Sequence, residues 1–488
     1  MFHPPDYIDL LSQLEQFLSD PHGQKPIAHP LSPEQLSDRL SLDEFVNTSS
    51  AGKSLEDLNA DIADYLTYSV RTAHPQYFNQ LWGGFNAACF MGDMLTSATN
   101  TAMHTYEVAP VANLIERALI AKMGRLVGFD NPEGQFTTGG SNGNLMAMAI
   151  ARHHAAPHLK YQGMVNGPQL IAFISTEAHY SFAKAAQLLG LGTAHLWPVP
   201  VDNHGQMMVT ELEALIAKAQ TLGHQPFLVV GTAGTTVRGA YDPLVDIAAI
   251  TQREGLWFHV DGAWGASVLL SPTHRHLING VDLADSVVWD AHKVMGMTLM
   301  CSVLLVKQRG HMLRTFETHG TDYLFHEADG EVSGEPPSRQ SMDFGASTMH
   351  CGRRVEAVKL WLAWKHLGDR GWQALIDRYF DLAAQAETII NAHESLELVT
   401  PRQSLNLCFR YIPKHPDLDP NDFSRKIRHA LWQEGIAMVN YAPVENKTVI
   451  RLVICNNQTQ PGDIDSFFES VVAIGQRLEQ FSVNPCPA

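Results

Sequence analysis

Between about residues 110 and 310, short apolar runs alternate with segments of helical periodicity, and this alternation restricts the fold more than any other feature. The strand-like runs are 170–174, 227–230, 256–260, 286–289 and 302–306. The helical patterns are 111–127, 144–154, 182–189 and 244–253. Buried strands that alternate with helices are typical of a mostly parallel sheet covered on both faces. We therefore predict an α/β fold, whose ligands bind at the carboxyl ends of the strands.

The regions on either side of this alternation indicate further parts. Residues 1–70 are predicted to form a helical N-terminal arm, and residues 71–352 the large domain. The large domain includes a loop at about 315–340 that is rich in Gly, Ser, Glu and His, and long loops in compact domains are often functional. Residues 353–488 show two strand-like and two helix-like runs, which predict a small α+β domain.

Charge and cysteine usage restrict the partners and the compartment. The formal charge of −17 and the absence of a Lys/Arg-rich run argue against a nucleic-acid partner. The six cysteines form no CxxC pair and the N-terminus lacks the pattern of a signal peptide, so we expect a cytoplasmic protein. Apolar runs of about 18 residues are absent, so no membrane contact is expected, and no metal site is predicted.

A lysine occupies an unusual position in WDAHKVMGMTLM, residues 289–300. Lys293 follows a buried-looking strand and is surrounded by Val, Met and Gly rather than by other charges. Desolvation lowers the pKa of an amine, which a Schiff-base lysine requires. A strand-end lysine whose amine extends to solvent is the alternative interpretation.

An aspartate ends an apolar strand in LWFHVDGAWGA, residues 256–266. An unpaired carboxylate at such a position is costly, so Asp261 needs a partner. A protonated pyridine nitrogen is one candidate, because the pair would strengthen the ring as an electron acceptor. A helix cap or a hydrogen bond at the strand end is the other.

A cluster of Gly, Ser and Asn opens a helix in QFTTGGSNGNLMAM, residues 135–148. Backbone N–H groups at a helix N-terminus, helped by the Ser141 hydroxyl, are suited to bind a phosphate. The segment matches neither GxGxxG nor GxxxxGK, so a dinucleotide or nucleoside triphosphate site is not indicated. An ordinary glycine-rich turn with a helix cap is the alternative.

Two more polar positions follow predicted strands. His179, in AHYSFAK, begins a helix and is suited to stack on a planar ring, although a structural histidine is equally compatible with the pattern. Thr236 lies in the turn GTAGTTVRGAYDP, within reach of such a ring. A phosphate turn, a histidine, a threonine, an aspartate and a lysine therefore occur in this order at strand ends of one sheet.

In this order and in its longer motifs the chain resembles the group II pyridoxal-phosphate-dependent decarboxylases, most closely the branch of glutamate decarboxylase and cysteine sulfinate decarboxylase. The resembling stretches are HPQYFNQLWGG (74–84), TYEVAPV (105–111), FTTGGSNGNLMAM (136–148), GTTVRGAYDP (234–243), FHVDGAWG (258–265), LLSPTHRHLINGVDLADSVVWDAHK (269–293) and CGRRVEAVKLWLAWK (351–365). The resemblance implies fold type I, the aspartate-aminotransferase-like fold, with pyridoxal 5'-phosphate as cofactor. It also implies a homodimer that shares its active sites and is wrapped by the N-terminal arms.

The resemblance also implies roles for individual residues. Lys293 binds the cofactor covalently, Asp261 pairs with its pyridine nitrogen, and Ala263 and His179 cover the two faces of its ring. The predicted phosphate and ring contacts are Gly140, Ser141, Thr236 and His292. Asp290 stands where many members have Asn, so we expect it to point away from the phosphate or to pair with a cation.

Further roles concern the substrate. By resemblance, Tyr323 in HGTDYLFHE is the loop tyrosine that acts as general acid, although an aromatic loop anchor has the same pattern. Arg451, in TVIRLVIC, either holds a substrate carboxylate or forms a structural pair with Glu or Asp. Gln80 is the predicted glutamine on the substrate side.

The reaction implied is α-decarboxylation of an acidic amino acid: glutamate, aspartate or cysteine sulfinate. Positions 102–104 read Ala-Met-His in this chain. By resemblance, the corresponding positions read Asn-Met-Phe in the glutamate enzymes and Ser-Gln-Tyr in the cysteine sulfinate enzymes. His104 therefore either binds a side-chain anion or packs structurally. A basic or aromatic substrate, and a catalytically silent partner protein of the same fold, are the alternative functions.

Overall fold

A seven-stranded sheet organises the larger part of the chain in the computed structural model, which describes residues 5–20, 23–47, 52–318 and 343–483. The strands are β1 Glu133–Thr137, β2 Leu170–Ser175, β3 Leu196–Val199, β4 Gln225–Thr232, β5 Trp257–Asp261, β6 Ser286–Asp290 and β7 Ser302–Val306. Their spatial order is β1-β7-β6-β5-β4-β2-β3. Neighbours from β3 to β6 pair in parallel, and β7 runs antiparallel to both β6 and β1.

A second, four-stranded sheet is formed by residues near the C-terminus. Its strands are β8 Leu396–Leu398, β9 Asn406–Tyr411, β10 Asn440–Val444 and β11 Lys447–Val453. They follow the order β10-β11-β9-β8, and each neighbouring pair is antiparallel.

Helices connect and flank these strands. Their bounds are α1 Pro5–Leu18, α2 Pro33–Arg39, α3 Leu42–Asn47, α4 Leu58–Tyr68, α5 Ala87–Thr99, α6 Pro110–Val127, α7 Gly140–Ala155, α8 Leu159–Gln162, α9 Ser181–Leu188, α10 Val209–Thr221, α11 Leu244–Glu254, α12 His311–Phe316, α13 Ala357–Ala392, α14 Pro420–Gln433 and α15 Pro461–Val483. In the described residues, none of these helices is both long and apolar enough to cross a bilayer.

Local signals explain where several helices begin and end. Ser32 and Gln35 form a reciprocal capping box at α2, and the Asn86 side chain accepts from the backbone N–H of Cys89 at α5. Helix α6 has proline at its start and is ended by Gly128 in the left-handed conformation.

Two compact units divide the chain. One comprises Met1–Phe85, Asp381–Pro401 and Leu405–Ala488 and contains the four-stranded sheet; the other comprises Asn86–Phe380 and Arg402–Ser404 and contains the seven-stranded sheet. The 36-residue helix α13 contributes to both. The units begin and end at positions other than 70 and 352, and the three-part domain division stays a prediction.

The predicted α/β class and the mostly parallel sheet are confirmed. All five predicted strands of the large sheet are present, and sequence reasoning missed β1 and β3. Strand β3 is an edge strand that contains Pro198, and β1 contains the buried polar Gln135, so neither reads as an apolar run.

Candidate functional site

The carboxyl ends of β5 and β6 carry two buried carboxylates side by side in the sheet. Asp261 is the last residue of β5 and Asp290 the last residue of β6, and these strands pair in parallel. Both aspartates are at least 95% buried. Lys293 follows β6 by three residues, with a side chain that is 18% exposed. Three of the predicted site residues thus lie at one edge of the sheet, as expected for a ligand site in this architecture.

Asp261 accepts hydrogen bonds from uncharged groups. The side-chain amide of Asn144 donates to Oδ2 over 2.9 Å, and the backbone N–H of Ala263 donates to Oδ1 over 3.1 Å. Ala263 itself is buried. These two donors orient the carboxylate without neutralising its charge.

Asp290 faces the amine of Lys293 and the ring of His292 instead. Its Oδ2 lies 3.2 Å from Nζ of Lys293 and 3.7 Å from Nε2 of His292. Burial alone would raise the pKa of Asp290, but the charges of Lys293 and His292 and a hydrogen bond from Ser302 outweigh it and hold the pKa below its usual value. Of the two behaviours expected for Asp290, the structure shows pairing with a cation.

Helix α7 begins directly beside Asp290. A Cβ atom on Gly140 would lie 2.6 Å from Oδ2 of Asp290, so only glycine fits here without displacing the carboxylate. Gly139 precedes the helix with φ +124°, a conformation that glycine adopts readily. Ser141 is exposed in the first turn of α7. The first N–H groups of the helix are therefore at the same edge of the sheet as Lys293.

His179 belongs to the same group of charges. Burial lowers its pKa, and Lys293 lowers it further, while Asp261 and Asp290 act in the opposite direction. Its Nδ1 accepts from the backbone N–H of Ser181 over 3.3 Å, so the proton of the neutral ring is on Nε2. Thr236 is half-buried in the turn after β4.

The ring of His292 contacts the backbone of Cys301. Nδ1 of His292 lies 2.9 Å from the carbonyl oxygen of Cys301 and 3.1 Å from its nitrogen. Burial lowers the pKa of His292, and Lys293 adds to this, whereas Asp290 opposes it.

Sequence reasoning missed a set of buried polar residues behind Asp261. His259 lies two residues before Asp261, on the same face of β5, with Nε2 3.1 Å from Oδ1 of Asn144 and Nδ1 2.9 Å from Oγ of Ser286. The Trp257 indole N–H donates to the same Ser286 oxygen over 2.9 Å. A polar residue inside an otherwise apolar strand is the signal by which His259 and Ser286 could have been found.

The other predicted substrate residues lie in different parts of the chain. Arg451 is buried in β11 and donates from Nη2 to the carbonyl oxygen of Asn79 over 2.7 Å, and it thereby contacts the segment that carries the exposed Gln80. Burial lowers the pKa of Arg451. Both residues belong to the unit that contains the four-stranded sheet.

His104 is half-buried in the other unit and faces a carboxylate. Burial raises the pKa of Asp343, while the charges of Arg117 and His104 and a hydrogen bond from the Tyr106 N–H lower it. Nδ1 of His104 is buried without a hydrogen-bond partner among the residues that the structure describes. Tyr323 lies outside the described residues.

Comparison with known proteins identifies the class to which this arrangement belongs. Residues 35–412 match the family model described as the pyridoxal-dependent decarboxylase conserved domain. Cysteine sulfinic acid decarboxylase of Mus musculus is 37% identical over 476 residues, which cover 95% of this chain and 94% of the relative. The acidic amino acid decarboxylase GADL1 of Mus musculus is 36% identical, over 91% of this chain and 81% of the relative. A crystal structure of mouse CSAD superposes with a TM-score of 0.89 at 34% identity, covering 96% of this chain and 98% of the other.

The chain therefore belongs to the pyridoxal-dependent decarboxylase family. It is a pyridoxal-phosphate-dependent amino acid decarboxylase of fold type I, and the predictions of family, cofactor and enzyme class are confirmed. The residues at the sheet edge fit the cofactor: Lys293 offers an amine, Asp261 an oriented carboxylate, and Gly140 the start of a helix that has room only for glycine.

Proposed function

We propose that the protein removes the α-carboxylate of an acidic L-amino acid, with aspartate, glutamate and cysteine sulfinate as the candidate substrates. The support for an acidic substrate is the similarity to two relatives named for such substrates, each matched over more than four fifths of its length. The support for the chemistry is the juxtaposition of Asp261, Asp290 and Lys293 at one strand-end edge.

Within this site we assign the cofactor contacts as the sequence predicted them. Lys293 binds the cofactor covalently, Asp261 faces its pyridine nitrogen, and the start of α7 at Gly140 and Ser141 holds its phosphate. When it is bound, pyridoxal phosphate would accept the electron pair of the bond that breaks between Cα and the carboxylate. The remaining proposed cofactor contacts are His179, Thr236, Ala263, Asp290 and His292.

His179 and Asp261 have complementary tasks in this assignment. Neutral His179 presents an uncharged ring, because burial lowers its pKa and its Nδ1 is occupied by the Ser181 N–H. Asp261 offers a carboxylate that is oriented by two uncharged hydrogen-bond donors, the Asn144 amide and the Ala263 N–H. A neutral stacking ring and a charged carboxylate are the combination that stabilises a protonated pyridine.

We propose Tyr323 as the proton donor to Cα after carbon dioxide leaves. Replacing Tyr323 by Phe removes the phenolic proton and is expected to shift products from the amine towards the aldehyde. An amine-to-aldehyde ratio equal to that of the unsubstituted enzyme would contradict this role.

For substrate recognition we propose Arg451 and Gln80, with His104 as a further contact to the side-chain anion. A buried guanidinium can hold a carboxylate with two parallel hydrogen bonds, which lysine cannot reproduce. Arg451→Lys is expected to raise KM about tenfold or more while the covalent link to Lys293 still forms. An unchanged KM would remove Arg451 from the substrate site.

The first test measures amine production by the purified, cofactor-loaded protein. The panel contains aspartate, glutamate, cysteine sulfinate, 2,4-diaminobutyrate and an aromatic amino acid, and Lys293→Ala serves as the control without covalent cofactor. We expect amine from at least one acidic substrate and none from the Lys293→Ala variant. Amine from the basic or aromatic substrate alone would keep the mechanism and overturn the acidic assignment. No amine from any substrate, with the visible absorbance of lysine-bound cofactor present, would favour a silent protein.

We further propose that the enzyme is a homodimer. Apolar side chains are exposed on one face of α5, at Met91, Met94 and Leu95, and at the start of α6, at Val111 and Leu114. The arm adds exposed apolar residues on α3, where Phe45 is 82% and Val46 76% exposed. Apolar groups in this number are typical of surfaces that are covered by a partner.

Light scattering of the purified protein tests the dimer. Val111→Asp places a charge on the exposed face of α6, where the valine is 69% exposed, and is expected to yield monomer. Val165→Asp is the matched control, since Val165 is 82% exposed in a different part of the same unit. A monomeric unsubstituted protein, or equal effects of both substitutions, would contradict the proposal.

The proposed location is the cytoplasm. No disulfide joins any two of the five cysteines in the described residues, and four of these cysteines are buried, which suits a reducing compartment. Recovery of the protein with disulfides from a secreted fraction would overturn this location.

A further inference from the structure

A continuous series of hydrogen bonds runs from Trp257 to Asp261 through the core of the larger unit. Trp257 Nε1 lies 2.9 Å from Oγ of Ser286, which lies 2.9 Å from Nδ1 of His259. His259 Nε2 lies 3.1 Å from Oδ1 of Asn144, whose Nδ2 lies 2.9 Å from Oδ2 of Asp261. All five residues are at least 95% buried, so water does not replace these contacts.

Only one arrangement of protons satisfies the series. The Asp261 carboxylate accepts from Nδ2 of Asn144, so Oδ1 of the same amide faces Nε2 of His259, and that nitrogen carries the proton. Nδ1 of the neutral ring therefore accepts from the hydroxyl of Ser286, whose Oγ also accepts from the indole N–H of Trp257. Burial lowers the pKa of His259 to about 4, against the opposing charge of Asp261, so the ring is neutral at pH 7 and has its single proton on Nε2. Nε2 of His259 donates this proton to Oδ1 of Asn144, while the amide nitrogen of Asn144 donates to Asp261.

The orientation of the Asn144 amide has electrostatic consequences. With its nitrogen towards Asp261, the amide donates to a carboxylate and stabilises the ionised form. A rotation of the amide by half a turn would place Oδ1 against that carboxylate and repel it. The donor on His259 Nε2 prevents this rotation, because the rotated amide would also oppose an N–H with an N–H.

We propose that His259 and Asn144 are positioning residues that hold the Asp261 carboxylate directed at the pyridine nitrogen of the cofactor. The inference rests on the proposed function, since it presupposes that Asp261 faces that nitrogen. Neither residue touches the substrate in this account, and both act through Asp261. Hydrogen bonds to a charged group are stronger than those between neutral groups, so loss of the Asn144 donor weakens the ion pair between Asp261 and the cofactor.

Three variants separate this role from simple core packing. His259→Gln retains an N–H donor near the position of Nε2, whereas His259→Met has a similar size and no donor. Asn144→Leu removes the donor to Asp261 directly. Thr251→Val serves as the control for lost stability, because Thr251 is a buried residue of the same unit whose hydroxyl donates to Ala248 O outside the series.

The direct readout is the ¹⁵N resonance of holoenzyme reconstituted with pyridine-¹⁵N-labelled pyridoxal phosphate, which reports the protonation of the ring nitrogen. We expect a protonated nitrogen in the unsubstituted enzyme, in His259→Gln and in Thr251→Val. His259→Met and Asn144→Leu are expected to shift the resonance towards the unprotonated form. The dissociation constant for the cofactor is expected to rise about tenfold or more in these two variants, with kcat lowered and KM unchanged.

The outcomes are distinguishable. A protonated nitrogen in both His259→Met and Asn144→Leu would overturn the inference and leave the role of Asp261 intact. An unprotonated nitrogen in the unsubstituted enzyme would overturn the proposed role of Asp261 itself. If His259→Met or Asn144→Leu does not fold, Asn144→Ser takes its place, since the shorter hydroxyl cannot reach both Asp261 and His259.

Discussion

Asp261 and Asp290 end neighbouring strands of one sheet and are almost equally buried, yet their surroundings differ in charge. Asp261 is held by the amide of Asn144 and the N–H of Ala263. Asp290 is held by Lys293 and lies close to His292. The Asp261 carboxylate, whose donors are uncharged, can therefore pair with a further cation more readily than the Asp290 carboxylate, which already pairs with Lys293.

The difference shows how one sheet edge can provide two kinds of carboxylate. Neutral donors orient Asp261 and leave its charge available for a cationic ring nitrogen. Lys293 compensates the charge of Asp290 where that carboxylate lies beside the start of α7 at Gly140. The assignment of roles therefore depends on what surrounds each carboxylate, and burial alone does not distinguish them.

The largest effect is expected from Asp261→Asn. Loss of the preorganised charge should lower kcat by about 10²- to 10³-fold, because the ring nitrogen loses its counter-ion. Asp290→Asn is the matched substitution on the neighbouring strand and is expected to retain far more activity. Equal losses of kcat in the two variants would show that the two carboxylates are not distinct in function.

The second effect is expected in the pH dependence of stability, because the neutral His259 is part of the surroundings of Asp261. The pKa of His259 is lowered by burial to about 4, whereas an unfolded histidine titrates at its ordinary value of 6.5. As the pH falls from about 6.5 to 4, the unfolded chain binds a proton that the folded protein does not, so stability is lost on acidification. His259→Gln removes this proton uptake and, with it, a loss of about 2 kcal/mol in the free energy of unfolding between pH 7 and pH 4.5.

Thermal unfolding between pH 7 and pH 4.5 measures this effect. The loss of Tm on acidification is expected to be smaller in His259→Gln than in the unsubstituted protein, although other buried histidines contribute in both. Identical pH profiles would mean that His259 takes up a proton over the same pH range in the folded protein as in the unfolded chain, and that burial does not lower its pKa.

A smaller effect is expected at the contact between Asp290 and the phosphate-binding turn. Gly140→Ala introduces a Cβ atom 2.6 Å from Oδ2 of Asp290, and the resulting overpacking is expected to cost about 1–3 kcal/mol. The loss should appear as weaker cofactor binding and should be relieved in the double variant Gly140→Ala with Asp290→Ala. Equally weak binding in the double variant would show that the clash lies elsewhere.

The smallest effect is expected for cofactor affinity in Asp290→Asn. Removing the carboxylate charge beside the start of α7 removes its repulsion of a bound phosphate, so binding should tighten by about tenfold at most. Equilibrium dialysis at low and high salt measures the change. Weaker binding would indicate that Asp290 is needed chiefly to hold Lys293.

The apolar runs of the sequence predicted the central strands and, with the order of the motifs, the location of Asp261 and Lys293 at strand ends. Apolar runs are informative because strands covered on both faces have no polar face. Edge strand β3, with Pro198, and β1, with buried Gln135, lack this signature and were missed.

The partners of the two carboxylates could not be predicted. Asn144 lies 117 residues from Asp261 along the chain, and its amide orientation depends on His259. Lys293 and Asp290 are only three residues apart, yet their pairing depends on the turn that follows β6. Contacts of this kind depend on tertiary packing and on the proton arrangement, which no local pattern encodes.

A crystal structure of the holoenzyme tests the central claim most directly. The account predicts that the pyridine nitrogen lies about 2.7–2.9 Å from Oδ2 of Asp261, with the phosphate at the start of α7 and Lys293 covalently joined to the cofactor. A pyridine nitrogen that faces Asp290, or that is out of hydrogen-bond reach of Asp261, would contradict it.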